Sequence, residues 1–79
     1  MVSIAELEQE LAQSTRHIVE ARARIARQFG IVRRLEAAGH DAARAKSLYR
    51  EIEDGFEAVL AHRERIIRDL SAALGEDAG

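Results

Sequence analysis

The chain has 79 residues, of which 47% are hydrophobic and 33% charged, with a formal net charge of -2 and no Pro, Cys or Trp. One small domain is all this length supports, and such a core rarely contributes more than about 3 to 5 kcal/mol, so a partner surface is expected. Without Cys there are no disulfides, thiolate metal sites or thiol chemistry. Apolar runs fall far short of the roughly 20 residues that cross a bilayer, and Met1 to Glu6 lacks the basic start of a signal peptide, so a cytoplasmic protein without membrane contact is expected.

Dense Ala, Leu, Glu and Arg favour helix throughout. Ser3-Ile4-Ala5-Glu6 reads as a capping box, with Val2 placed to staple against Leu7, so the first helix is expected over about residues 3 to 38. Along it Ile4, Leu7, Leu11, Ser14, Ile18, Ala21, Ile25, Gln28, Val32 and Leu35 recur at alternating spacings of three and four, a coiled-coil stripe. Gly39 suits a left-handed helix end and Asp41 the cap of the next helix, which puts a turn at residues 39–41 and makes the helices antiparallel. The second helix is expected over about residues 41 to 74, with Gly75 as its stop and Tyr49, Ile52, Phe56, Val59, Arg63, Ile66, Leu70 and Ala73 as its stripe. Facing residues should have numbers adding to roughly 80, pairing Val32 with Leu48 and Leu35 with Ala45. Residues 16–34 hold six Arg and one Glu. Glu51, Glu53, Asp54 and Glu57 are expected to pair with Arg22, Arg24 and Arg27 within the chain, each exposed pair giving about 0.2 to 1 kcal/mol.

The fold class is therefore all-α: an antiparallel two-helix hairpin occupying the whole chain. Val19, Phe29, Ile31, Leu48, Leu60, Ile67 and Leu74 lie beside the stripes and widen the apolar face beyond what one hairpin seam covers. A second copy would cover it, so a homodimer forming a four-helix bundle is expected, with an interface of Phe29, Ile52, Phe56, Val59, Leu60, Arg63 and Ile67. Gln28 and Arg63 interrupt the stripes with polar groups and are register candidates, although Arg63 can equally lay its methylenes along the seam. Gly30 and Gly55 inside helices suggest close helix approach or bending, Gly55 beside Phe56 being the better candidate for packing.

No Gly-rich phosphate loop, catalytic triad or nucleophile with an adjacent base is visible, so no catalytic residue, cofactor or metal is assigned. His17, Glu20 and His62 form the one metal or histidine-phosphate alternative. However, the order His17-Ile18-Val19-Glu20 reverses the Glu-x-x-His of di-iron bundles and occurs once. The basic segment is set against a net negative charge and only three aromatic residues, which argues against nucleic-acid binding. Binding to a further, unidentified protein remains, with His40 displayed on the turn.

Arg16-His17-Ile18-x-Glu20, Ile25-Ala26-Arg27-Gln28, Leu35-Glu36-Ala37-Ala38-Gly39-His40-Asp41 and His62-Arg63 resemble a group of small, uncharacterised helical hairpin proteins of rhizobial-type alphaproteobacteria. The likeness covers roughly residues 16 to 68. It implies a helical hairpin in a bacterial cytoplasm and carries over no activity.

Overall fold

Two helices account for nearly all of the computed structural model, which describes residues 3–78: α1 spans Ile4–Ala37 and α2 spans Ala43–Ala78. Ser3, extended at φ -78°, starts α1: its Oγ accepts from the Glu6 N–H at 3.1 Å and its C=O from Leu7. The side-chain bond satisfies one of the donors that a helix start otherwise leaves open. The staple expected from Val2 lies outside the described residues.

The turn is built by Gly39, the one described residue at positive φ, 73°. The His40 N–H donates to the Leu35 C=O at 2.9 Å and the Gly39 N–H to the Glu36 C=O at 3.1 Å, the two bonds of a Schellman end. Asp41 then caps α2 by accepting from the Ala43 N–H at 2.9 Å. It does so from two residues ahead, so α2 begins at Ala43 and not at 41. At the far end α2 runs through Gly75, which was expected to stop it, to Ala78. Glycine permits a left-handed stop but does not impose one, and Gly75 lies within the helix.

All ten predicted stripe residues of α1 and all eight of α2 are buried or half-buried. The α2 spacing continues backward through Ala45 to the buried Ala42, just ahead of the helix, which gives the second stripe ten positions as well. Taken in order from Leu35 with Ala42 to Ile4 with Ala73, the two stripes form ten layers whose residue numbers add to 77. The cross-helix contacts bracket this register: Gln28 with Ala45, Phe29 with Tyr49, and Glu36 with Lys46 add to 73, 78 and 82. The expected register of 80 is therefore corrected. The short Schellman turn seats Ala42, not Ala45, on Leu35, and Leu48 is 44% exposed and not buried on Val32. Several layers set a small side chain against a large one, Ala42 against Leu35 and Ala21 against Phe56 among them, which lets two helices pack with few voids.

The molecule is a rod of 62 × 16 × 15 Å with a radius of gyration of 18.0 Å. A compact chain of this length would have a radius near about 12 Å. Its accessible surface is 6034 Å², against about 4,800 Å² expected for a folded protein of this mass. The excess of roughly 1,200 Å² per chain is what a single helical seam leaves uncovered.

Candidate interaction surface

Polar groups inside the seam set its register. Gln28, 7% exposed, donates from Nε2 to the Ala45 C=O at 3.0 Å, tying a side chain of α1 to the backbone of α2. Such a bond holds the helices in one alignment, because sliding either by a layer leaves a buried amide unpaired. Arg63, the other register candidate, is half-buried in the layer of Ser14 and forms no ion pair among the described residues. That is the posture of a side chain with its methylenes on the seam, so the register role falls to Gln28.

Ser14 is 2% exposed, and its Oγ has no hydrogen-bond partner among the described residues. A buried hydroxyl without a partner costs about 1 to 3 kcal/mol. Ser14→Ala is accordingly expected to stabilise the fold by about 1 kcal/mol, read as a higher urea midpoint at unchanged m-value. A lower midpoint would show that the hydroxyl is bonded in solution.

Outside the seam the hairpin has two flanks. One carries the residues that follow the stripe by one position: Phe29, Glu36, Lys46, Leu60, Ile67 and Leu74. The Phe29 and Tyr49 rings meet here at 6.1 Å between centroids, Arg33 Cζ lies 5.8 Å from the Phe29 centroid, and Lys46 Nζ reaches Glu36 Oε2 at 2.9 Å. Beside the rings runs an open groove of about 540 Å³ floored by Ile25, Ala26 and Phe56. The Tyr49 phenol titrates above its ordinary value, through desolvation first and the Glu53 carboxylate second. Val19, Phe29, Leu60 and Leu74 are exposed to 63, 49, 38 and 49%, and Ile67 is half-buried. Leu60, Ile67 and Leu74 recur every seventh residue, so they lie in one line along the rod.

The opposite flank carries the residues that precede the stripe by one. Its groove, about 370 Å³, is lined by His17, Glu20, Arg24, Leu48, Glu51 and Gly55 among others. His17 lines it and His62 does not. Among the described residues no three His, Asp or Glu side chains converge as a metal site. A Cβ added at Gly55 or Gly30 would meet nothing within 4 Å, so neither glycine admits a close approach inside the hairpin. Gly55 instead leaves an open notch in this groove.

The ion pairs expected between Arg22, Arg24, Arg27 and the α2 carboxylates do not form. Arg24 shares a groove with Glu51, and Arg22 shares the other with Glu53 and Glu57, yet Lys46–Glu36 is the one ion pair among the described residues. At exposed positions in water such pairs return too little to hold two long side chains still.

Of the seven expected interface residues, Ile52, Phe56, Val59 and Arg63 belong to the stripe and pack within the hairpin, while Phe29, Leu60 and Ile67 line the apolar flank. Tyr49 was expected in the seam and also meets Phe29 on this flank, whereas Arg33 beside Phe29 and Ala42, which closes the seam, were not expected. Carrying the spacing back from Tyr49 would have found Ala42. Among the described residues no helix is long and apolar enough to cross a membrane. Neither family models, nor curated proteins, nor solved structures give a match to this chain.

Proposed function

We propose that the chain is a non-enzymatic protein–protein interaction module, acting in the cytoplasm as a homodimer in which two hairpins close into a four-helix bundle. The observation that carries this reading is the line of Phe29, Leu60, Ile67 and Leu74 on one flank of a rod with too much uncovered surface. Exposed apolar side chains aligned on one flank mark an interaction site, and a second copy is the simplest surface to cover them. Both grooves are open along their length and hold no convergent set of acid, base and nucleophile, which favours docking over catalysis. The opposite flank, with Leu48 and the notch at Gly55, is left for a further protein.

Thermal unfolding tests the reading. A dimer that unfolds to two chains gains stability with concentration, so the midpoint is expected to rise by roughly 5 to 10 °C over a hundredfold increase in protein. A midpoint independent of concentration would contradict self-association.

A further inference from the structure

The apolar line alone does not decide how two hairpins lie together, because a two-fold axis parallel to the rod and one perpendicular to it both bury Leu60 and Ile67. Charge decides it. Residues 27–50, the turn end of the rod, carry six basic side chains against Glu36 and Asp41, whereas the other described residues up to 75 carry ten acidic against six basic. The cut falls straight across the rod, since 27 and 50 share the register sum of 77.

The same polarity appears on the apolar flank itself. At its turn end stand Arg33, one helical turn from Phe29, and Arg50, one turn from Lys46, with Glu36 already bound to Lys46. Between Phe29 and Leu60 stand Arg22, Glu53 and Glu57, and beyond Leu60, toward the open end, the charges are Glu64, one turn from Leu60, and Glu8, next to Leu7.

We infer that the occupant of this flank is a second copy docked antiparallel, with the two-fold axis perpendicular to the rod near Leu60 and the turns at opposite ends. The inference rests on the self-association proposed above. In a parallel pair every residue near the axis meets its own copy, so Arg33 would face Arg33 and Glu8 would face Glu8. Like charges placed together in an interface select against that arrangement. The antiparallel pair sets Arg50 of each copy level with Glu8 of the other, and Arg22 level with Glu64. It also lays Phe29 of one against the Leu74 region of its mate, where both rims of apolar surface end.

Because the chain has no Cys, His40→Cys gives a single labelling site. His40 is exposed and contributes its backbone N–H to the turn, so the label leaves the seam intact. Pulsed EPR between nitroxides on the two turns is expected to give a distance above about 45 Å, since α1 alone is about 51 Å long at 1.5 Å per residue. A distance below about 25 Å would overturn the orientation while leaving the dimer standing. No dipolar modulation, together with the scattering mass of one chain, would overturn self-association and this inference with it.

Discussion

Gln28→Glu is expected to destabilise the hairpin by about 3 kcal/mol at pH 7, a large share of what a chain this size possesses. The substitution preserves shape but replaces the amide that donates to the Ala45 C=O with a carboxylate oxygen facing a carbonyl oxygen, at a site 7% exposed. Burial beside an acceptor raises the carboxyl pKa in the folded state above its unfolded value of about 4.3. The protonated form, which has an O–H to donate, is therefore favoured by folding. The variant should approach wild-type stability below about pH 4.3 and lose it as pH rises through the raised folded value. Urea unfolding of both proteins at pH 7 and pH 4 checks this; an equal deficit at both pH values would mean that Gln28 does not bond across the seam. Gln28→Met, similar in volume and without the charge, should cost far less and serves as the control.

The second large effect is on assembly. Leu60→Lys combined with Ile67→Lys puts two charges into the middle of the apolar line while sparing the seam, because Leu60 is exposed and Ile67 half-buried outside the stripe. Far-UV helicity at high protein concentration should stay close to wild type, and the concentration dependence of the melting midpoint should vanish. Phe56→Asp would be a poorer probe. Phe56 faces Ala21 in the stripe and lines both grooves, so its replacement damages the hairpin and its flanks together.

Much of this fold is legible in the residues themselves. Periodicity alone places every predicted stripe residue in or at the seam, because alternating steps of three and four can bury one side of a helix and no other. Ser3, Gly39 and Asp41 announce their roles through the few side chains able to cap or to turn a helix. Register was harder to read, since it depends on how tightly the turn closes: the Schellman bonds of Gly39 and His40 set Ala42 on Leu35 and displace the register by about three residues. Ion pairs are less legible, because complementary charges at exposed positions gain little from meeting, and among the described residues Lys46 and Glu36 alone do so. Gly55 was misread for a geometric reason, its missing side chain opening a notch on the outer surface and none between the helices. The interface residues divide along the same line. Composition marks all seven as large or amphipathic, but only the register of the seam tells which of them, Phe29, Leu60 and Ile67, face outward.

Self-association is tested by light-scattering mass after size exclusion, measured side by side on the wild-type chain and on the Leu60→Lys/Ile67→Lys variant. The wild type is expected at twice the 8.8 kDa chain mass and the variant at the single-chain mass with equal helicity. A wild-type mass of one chain, or a variant that remains dimeric, would contradict it.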